Sequence, residues 1–316
     1  MKYLLYLLQN WKTRFRRSRV LLHLRRLTTD PEKPVYITMD GRSDGAGAQL
    51  HGLISVMALA QEAGWTYLHT PVQNLEHNYT GDPGYDSRWE IFANLGAGEI
   101  QIAETEKLWK QEKRAASFLK LAYTPGTLFK VTQCHHLTKI VPEVYESLMP
   151  KLRQRYLHSP IPKTTPFTKD ALNIALHVRR GDVQAQDNAN RFTGNTQLRQ
   201  IIEDLTRKLA GYNPRIFLYS QGDPTDFAEI DTGNIHFQLD IDPLLTWHHL
   251  IMADVLVMAK SSFSYTAGLL SSGIVLYQPF WHPPLDSWIS MSECNEQVLD
   301  RVKARADDVL HQRRPQ

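Results

Sequence analysis

The chain has 316 residues, of which 42% are hydrophobic, 22% charged and 10% aromatic, which is the composition of an ordinary globular protein. This length is enough for two domains with separate hydrophobic cores. The formal net charge of +3 is too small to indicate a nucleic-acid partner, and we expect none. The only two cysteines, Cys134 and Cys294, are far apart in sequence and exclude a disulfide framework, which favours a cytoplasmic location.

The first 30 residues concentrate positive charge. They hold eight Lys or Arg and one acid, a net +7, so the rest of the chain carries a net −4 against +3 for the whole. Their apolar run, residues 3–8, is far below the roughly 20 residues of a membrane span and lacks the pattern of a secretory signal. Residues 1–28 therefore predict either a peripheral helix on an anionic membrane or a basic helix packed on its own domain.

The next elements alternate between strand and helix. Residues 33–40 have the pattern of a strand, residues 41–52 form a glycine-rich loop, residues 53–64 form a helix that ends at Gly64, and residues 65–72 form a second strand. A strand, loop, helix and strand in this order are typical of an α/β fold.

The middle of the chain is predicted to be mostly helical and charged over residues 85–160, with residues 104–123 as its clearest amphipathic helix. Residues 158–170 concentrate proline and threonine among polar residues and indicate a linker. The predicted domains are therefore residues 1–165 and residues 166–316.

A second alternation fills the C-terminal half. The predicted strands are 172–178, 215–220, 234–239, 254–258 and 274–277, and the predicted helices are 195–210, 243–252 and 263–272. The fold class is therefore α/β, with two Rossmann-like domains. Ligands of such folds bind beyond the carboxyl ends of the strands.

The first motif, "ALHVRRGDV" at residues 175–183, ends a predicted strand with a cluster of polar groups. The rigid fork of an Arg side chain suits phosphate oxygens. Adjacent side chains of an extended segment point to opposite faces, so His177 and Arg179 share one face, while Arg180 and Asp182 are expected to shape the loop. The alternative interpretation is an ion-pair network at a strand end.

The second motif, "DGAGAQLHG" at residues 44–52, lies between a strand and a helix. Glycines let backbone N–H groups approach an anion closely, and the following helix adds its positive N-terminal end. The motif lacks the third glycine of a dinucleotide fingerprint and the Gly-Lys-Ser/Thr end of a P-loop. A tight turn between strand and helix explains the same residues.

The third motif, "ADVLVMAKSSFSYTAGLLSSG" at residues 253–273, leads from a strand through Lys260, Ser261 and Ser262 into a small-residue helix. Hydroxyl and amide groups at a helix N-terminus bind phosphate or cap the helix, and both roles are compatible.

Other polar or aromatic stretches carry weaker indications. Asp240-Ile241-Asp242 is similar to the Asp-x-Asp metal clamp of nucleotide-sugar transferases, but Asp242 also fits the N-cap of a helix begun by a proline. The pairs His135-His136 and His248-His249 are contiguous, so neither is expected to form a metal site without further ligands. Residues 273–288, "GIVLYQPFWHPPLDSW", suit either a sugar site or a rigid loop over the core. We predict no metal.

Together the three motifs resemble the superfamily of GDP-fucose-dependent α1,2-, α1,6- and protein O-fucosyltransferases, most of all the bacterial α1,2 enzymes. "HVRRGD" (177–182) resembles the signature His-x-Arg-Arg-x-Asp, "GAGAQLHG" (45–52) the loop Gly-x-Gly-x-Gln-Leu-His, and "KSSFSYTAGLL" (260–270) a Ser-Ser-Phe-Ser motif. The resemblance implies a GT-B-like fold of two facing Rossmann-like domains. It also implies an inverting, metal-independent transfer without a cofactor, with GDP-fucose as the donor substrate bound mainly by the C-terminal domain.

The resemblance also assigns roles. Arg179 would hold the β-phosphate and neutralise the charge that develops on the GDP leaving group. His177 would contact guanine, and Arg180 and Asp182 would shape the donor loop. The remaining donor-binding residues implied are Gly45, Ala46, Gly47, Gln49, Ser261, Ser262 and Phe263.

Two positions depart from the family or extend it. Relatives carry a guanine-binding Asp where this chain has Thr246, so Asp242 either replaces it or guanine is recognised differently. Inversion needs a base near the acceptor hydroxyl. Asp187, ten residues after His177, is the first candidate because some α1,6 members have an acid there, and Asp44 is the second.

The acceptor expected from the Ser-Ser-Phe-Ser form is an oligosaccharide with a terminal galactose, linked α1,2. Two other classes remain open on the same residues. One is a transferase for another nucleotide sugar, because an Arg and a helix N-terminus recognise any diphosphate. The other is a nucleotide- or glycan-binding protein without catalytic activity.

Overall fold

The computed structural model describes residues 19–20, 22–24, 26–27, 32–41, 43–105, 108–132, 137, 141–183, 190–230, 233, 235–291 and 296–313. The chain divides into two compact units, Met1–Pro160 (unit 1) and Ile161–Gln316 (unit 2). The division falls inside the segment 158–170 that the sequence marks as a linker.

Unit 1 is built on a parallel sheet. Its strands are β1 (Tyr36–Met39), β2 (Thr66–His69), β3 (Ile100–Gln101), β4 (Gln111–Ala115) and β5 (Thr127–Val131), in the order β3-β2-β1-β5-β4. Each pairing among these strands is parallel. Its helices are α1 (Ala46–Ala63), α2 (Tyr85–Ala93), α3 (Glu143–Glu146) and α4 (Met149–Leu157).

Helix α1 connects β1 to β2 and is the most deeply buried helix of unit 1. Its predicted end is confirmed, because Gly64 follows it in the left-handed conformation with φ 67° and donates its N–H to the carbonyls of Ala60 and Gln61. Its predicted start is wrong, since the helix begins at Ala46 and not after residue 52. The missing side chain of Gly52 explains the difference: a Cβ there would lie 2.9 Å from Met39 Sδ, so packing on the sheet outweighs the low helix propensity of glycine.

The predicted amphipathic helix at residues 104–123 is also wrong. Residues 111–115 form the edge strand β4, paired in register with residues 127–131 of β5. Four of the five side chains of β4 are exposed, and Lys113 and Arg114 are charged, as is usual for protected edge strands. The charged residues that the sequence analysis assigns to the solvent-exposed face of a helix therefore belong, at residues 111–115, to an edge strand.

Part of the basic N-terminal segment packs on unit 1. Val20, Leu24 and Leu27 are buried, and Trp65 Nε1 donates to the carbonyl of Leu27 at 2.7 Å. For these residues the interpretation as a helix packed on its own domain is confirmed. Residues 1–18 lie outside the described part of the chain.

Unit 2 is built on a second parallel sheet. Its strands are β6 (Leu172–His177), β7 (Pro214–Ser220), β8 (Ile235–Leu239), β9 (Val255–Val257), β10 (Ile274–Tyr277) and β11 (Ile289–Ser290), in the order β11-β10-β9-β6-β7-β8. Its helices are α5 (Asn195–Lys208), α6 (Pro243–Met252), α7 (Ser262–Leu270) and α8 (Glu296–Arg313). The elements predicted between 172 and 277 are confirmed within two residues at each end.

The faces of β6 differ in chemistry. Leu172, Ile174 and Leu176 join one hydrophobic core with residues of α5 and α8, while Asn173 and His177 alternate with them and face the other side. The predicted α/β class with two parallel-sheet units is thus confirmed. Among the described residues, we find no helix with the length and apolar character needed to cross a bilayer.

Candidate functional site

The candidate site lies where the strand order of unit 2 reverses. Strand β6 pairs with β7 on one side and with β9 on the other, and the chain returns to β9 only after β7 and β8. The carboxyl ends of β6 and β9 therefore flank a topological switch point, the usual ligand position in open parallel sheets. The first motif follows β6 and the third follows β9, so the fold brings both motifs to one place.

Direct hydrogen bonds join the two motifs. Arg179 Nη1 donates to Ser261 Oγ at 2.9 Å, and Ser261 Oγ also accepts from the backbone N–H of Phe263 at 3.3 Å, capping α7. The capping role predicted for the serines is therefore found at Ser261, which also contacts Arg179, and phosphate binding by Ser261 stays a prediction. This places the Arg179 guanidinium beside the positive N-terminal end of α7.

Asp182, which the sequence predicts to shape the loop, lies against Arg179. Arg179 Nε donates to Asp182 Oδ1 at 3.0 Å and Nη2 to Oδ2 at 2.6 Å, a two-point pair. Gly181 makes this contact possible because it turns the chain with φ 76°, and a Cβ there would meet Gln221 Oε1 at 2.5 Å. The pair holds the guanidinium in one orientation.

Arg180 contacts the loop before α5, and its Nη1 also donates to the backbone carbonyl of Arg179 at 3.1 Å. Its Nη2 donates to the carbonyl of Thr193 at 3.0 Å and to Asn195 Oδ1 at 2.9 Å, and its guanidinium lies 4.3 Å from the ring centre of Phe192. Burial lowers the pKa of Arg180, with Asp226 partly opposing that shift. Its contacts are those of a residue that fixes the loop.

His177 is buried at the end of β6 with its ring 5.5 Å from that of Phe263. Burial lowers its pKa to about 3, and the nearby Arg179 adds to this effect, so the imidazole is neutral at physiological pH. Its Nδ1 has no hydrogen-bond partner among the described residues. A buried ring nitrogen in this state is available to a ligand or an ordered water.

A network missed by the sequence analysis fixes the loop at residues 190–195. Thr193 Oγ1 donates to Gln278 Oε1 at 2.9 Å, and Gln278 Nε2 donates to the carbonyl of Met258 at 2.9 Å. Lys260 Nζ donates to the carbonyl of Phe192 at 3.2 Å. The loop after the first motif is thereby tied to the ends of β9 and β10.

Ser262 begins α7 and contacts a second group that the sequence did not single out. Its Oγ lies 3.2 Å from Nε2 of the buried His282, and the same nitrogen accepts from Trp281 Nε1 at 3.1 Å. An indole N–H only donates, so His282 Nε2 is unprotonated in this arrangement. The stretch 273–288 therefore contacts the first residue of α7 through His282, and its role as a sugar site stays a prediction.

The second motif lies in unit 1, and its side chains are engaged locally. Gly45 is the N-cap of α1, and Asp44 Oδ1 accepts from its N–H at 2.9 Å. Gln49 is buried; its Nε2 donates to the carbonyl of Gln73 at 2.7 Å, and its Oε1 accepts from the N–H of Gln73 at 3.3 Å. Ala46 and Gly47 belong to the first turn of α1, so the motif is a tight turn that opens directly into a helix.

The last predicted site residues have separate outcomes. Asp242 Oδ1 accepts from the N–H of Leu244 at 2.7 Å, so Asp242 is the N-cap of α6. Asp187 lies outside the described residues, as do Cys134, His135 and His136. In the described part of the chain, no group of three or more His, Cys, Asp or Glu side chains is placed to hold a metal ion.

Comparisons with known proteins were made for the sequence and for the fold. The sequence matches no protein-family model and no curated protein. The fold is similar to three solved glycosyltransferases. One is the α1,6-fucosyltransferase NodZ of Bradyrhizobium with GDP, at 12% identity and a TM-score of 0.36, with 76% of this chain and 93% of that chain covered. Another is the E. coli heptosyltransferase WaaC with ADP-2-deoxy-2-fluoro heptose, at 14% identity and a TM-score of 0.38, with 86% and 99% of the two chains covered. A further one is POFUT1 with GDP-fucose, at 13% identity and a TM-score of 0.36, with 78% and 96% covered.

Proposed function

We propose that this protein is a glycosyltransferase that binds the diphosphate of a nucleotide-sugar donor at the switch point of unit 2. The observation that carries the proposal is the hydrogen bond from Arg179 Nη1 to Ser261 Oγ, 2.9 Å long, at the N-terminal end of α7. A fixed guanidinium, backbone N–H groups and a positive helix end are complementary to phosphate oxygens.

The site suits the transfer of a sugar with loss of a nucleoside diphosphate. An oxygen of the acceptor hydroxyl forms a bond to the anomeric carbon, and the bond from that carbon to the β-phosphate oxygen breaks. The electron pair leaves with the diphosphate, and the hydroxyl proton passes to a base. Arg179 and the end of α7 stabilise the negative charge that develops on the leaving group.

The donor proposed is GDP-fucose, and the linkage proposed is α1,2 to a terminal galactose. Support comes from the three motifs, whose order and spacing together resemble those of the fucosyltransferase superfamily. The neutral His177 and the ring of Phe263 beside it offer a polar and an apolar surface for the nucleoside. The proposed base is Asp187, with Asp44 as second candidate.

A thermal-shift screen with GDP, UDP and ADP tests the donor. A ligand that binds only the native protein raises Tm. At a ligand concentration of about 100 times Kd, it increases the free energy of unfolding by about 2.7 kcal/mol. Of the three nucleotides, GDP alone is expected to raise Tm. In a separate activity assay, we expect transfer of fucose from GDP-fucose to a galactose-terminated acceptor. Stabilisation by UDP or ADP instead would show a different nucleotide sugar, and no stabilisation by any of the three would contradict the proposal.

We also propose that the basic N-terminal region contacts an anionic membrane surface. The side chains of Leu22 and Leu119 are 50% and 51% exposed. Their sequence neighbours are in contact, because His23 Nε2 lies 3.3 Å from the carbonyl oxygen of Phe118. Exposed cations (Arg26 and Lys120) accompany these leucines. Apolar and cationic side chains together favour binding to anionic lipid.

Sedimentation with vesicles tests the membrane contact. The deletion should remove residues 1–18 only, because Leu24 and Leu27 are buried and their loss would disturb unit 1. The intact chain is expected to pellet with phosphatidylglycerol vesicles and not with phosphatidylcholine vesicles. The deleted chain keeps the exposed leucines and their neighbouring cations but lacks five of the eight Lys and Arg residues of the first 30, so it is expected to pellet less. Equal pelleting of both chains would contradict the contribution of that segment.

A further inference from the structure

Trp281 differs from the other large apolar side chains of unit 2 in its exposure to water. It is 43% exposed, whereas every other large hydrophobic side chain that the structure describes in this unit is buried or half-buried. An indole is among the largest apolar surfaces that a side chain offers to a ligand. Single exposed apolar side chains are common, so the position and the rigidity of Trp281 decide what its exposure means.

Hydrogen bonds place the indole at the N-terminal end of α7. Trp281 Nε1 donates to His282 Nε2 at 3.1 Å, and the same imidazole nitrogen lies 3.2 Å from Oγ of Ser262, the first residue of α7. A single nitrogen atom therefore separates the indole N–H from this hydroxyl. Ser262 directly follows Ser261, whose Oγ accepts from Arg179 Nη1 at 2.9 Å. The exposed ring thus borders the place where we propose that the diphosphate binds.

The backbone on both sides of the indole is fixed by tyrosine hydroxyls. The hydroxyl of Tyr277 accepts from the N–H of Phe280 at 3.1 Å and donates to the carbonyl of His282 at 2.6 Å. The hydroxyl of Tyr265 donates to the carbonyl of Pro283 at 2.9 Å. A side chain on a fixed backbone loses little conformational entropy when a ligand covers it, so the indole is preorganised as a binding surface.

The indole ring is also held by its side-chain neighbours. In addition to the hydrogen bond with His282, the ring centre lies 5.1 Å from that of Phe280 and 5.3 Å from the guanidinium carbon of Arg191. The exposed fraction of the ring is what remains after these contacts are made. It is therefore a rigid apolar surface that stays open to solvent.

The group that lies next to a bound diphosphate in a nucleotide sugar is the sugar itself. It is joined to the β-phosphate through one oxygen, so it stays close to the groups that hold this phosphate. One face of a hexose ring presents mainly C–H groups, and fucose adds a methyl group. Such a surface packs on the face of an aromatic ring, while the hydroxyl groups of the sugar keep polar partners.

We propose that the indole of Trp281 is the surface on which the sugar of the nucleotide-sugar donor packs. This inference rests on the proposed function, because it adds a sugar-binding surface to the same nucleotide-diphosphate site. The ring face contacts the sugar, and the indole N–H bonded to His282 positions the ring. Neither the nucleoside nor the phosphates depend on this surface, and this division can be measured.

The test is isothermal titration of the full chain with GDP and with GDP-fucose, comparing the wild type with Trp281→Ala. GDP has the nucleoside and both phosphates but no sugar. The alanine variant is expected to bind GDP like the wild type and to lose about fivefold or more in affinity for GDP-fucose, since contacts with an aromatic ring have an effect on that order. Trp281→Phe keeps an aromatic face without the indole N–H, so it should retain most of the affinity for GDP-fucose.

His236→Ala is the matched control. His236 is an exposed ring of the same unit and stacks on Phe217, with ring centres 4.9 Å apart. It lies near the amino end of β8, two strands from β6, whereas the site lies at the carboxyl ends of the strands. We expect this variant to bind both ligands like the wild type. An equal loss of GDP-fucose affinity in His236→Ala and Trp281→Ala would show a general effect of removing an exposed ring and overturn the inference.

Further outcomes separate this inference from the proposed function. If the wild type binds GDP and Trp281→Ala binds GDP-fucose as tightly as the wild type does, the inference is wrong and the proposed function stands. Equal losses for GDP and GDP-fucose in Trp281→Ala would also overturn it, because the residue would then act on the phosphates or on the fold. A loss in Trp281→Phe as large as that in Trp281→Ala would assign the effect to the N–H and not to the ring face, which contradicts the inference.

The nucleotide itself is open to the same experiment. If another nucleotide sugar binds better, the series is run with that nucleotide sugar and its nucleoside diphosphate, and the same outcomes apply. If the wild type binds neither a nucleoside diphosphate nor a nucleotide sugar, both proposals fail.

Discussion

The two units contain the same local arrangement, a parallel strand followed by a glycine-containing turn and a helix, but they use its polar groups differently. In unit 1, Gln49 is buried and bonded to the backbone of Gln73. In unit 2, Arg179 reaches across the switch point to Ser261, and His177 leaves a buried nitrogen without a partner among the described residues. The two turns therefore differ in the partners of their polar groups more than in their glycines.

The largest expected effect comes from Arg179→Met in unit 2. Loss of the guanidinium should lower kcat for donor turnover, because the transition state loses about 2–4 kcal/mol of stabilisation. This is the usual effect of removing a donor that stabilises developing charge. Steady-state kinetics with GDP-fucose measures it. Because the variant also removes the guanidinium that pairs with Asp182, Arg179→Met/Asp182→Asn serves as the control for the charge of that carboxylate. An Arg179→Met enzyme with the kcat of the wild type would contradict a role for Arg179 in turnover and, with it, the contrast between the two units.

Gln49→Met in unit 1 should act on stability instead. The backbone groups of Gln73 lose their partner, at a cost of about 1–3 kcal/mol, while the side-chain volume is kept. Thermal unfolding should therefore shift to lower temperature by several degrees. The Kd for GDP, measured by titration below the transition, is expected to stay the same. A large loss of GDP affinity with unchanged Tm would show that the second motif belongs to the donor site.

The pH dependence of unit 2 should show the effect of its buried histidines. The folded pKa of His177 is about 3 and that of His248 about 4, both below the unfolded value of about 6.5, so the unfolded chain binds more protons between these limits. Stability is therefore complete above pH 6.5 and is lost as the pH falls, by up to about 1.4 kcal/mol per pH unit for each histidine. His177→Gln should show a smaller fall in Tm between pH 7.5 and 5.5. An unchanged fall would contradict the assignment.

The smallest expected effects are at Asp242. Loss of the N-cap in Asp242→Ala should cost about 1 kcal/mol, measured by thermal unfolding. Asp242→Asn keeps a capping oxygen and removes the charge, so it should restore most of the stability. If the asparagine variant is stable but binds GDP more weakly, Asp242 also contacts the nucleoside, as the departure at Thr246 suggests.

The sequence predicts unit 2 better than unit 1, and the reason is physical. Strands of a central parallel sheet are mostly apolar and buried on both faces, as β6 is, and their boundaries are clear. The edge strand β4 is charged and partly follows helical spacing, so only its pairing with β5 identifies it. The start of α1 depends on how closely Gly52 approaches Met39, which is a tertiary contact.

The candidate site was predictable in the same uneven way. The motif residues Arg179, His177 and Ser261 follow strand ends, and the switch-point rule brings them together. The pairing of Asp182 with Arg179 depends on the turn at Gly181, and the sequence predicts only that Asp182 shapes the loop. The contact of Arg191 with Trp281 joins positions 90 residues apart, and no local pattern marks it.

The pairing of Arg179 with Asp182 has a consequence for which anions the protein retains. An incoming anion competes with this carboxylate for the guanidinium, so its net gain is reduced by the contacts that Asp182 already makes. A small anion such as chloride or acetate makes few contacts, whereas a diphosphate brings many oxygens to the arginine and the helix end at once. We therefore expect Asp182 to favour a polyphosphate ligand over small anions.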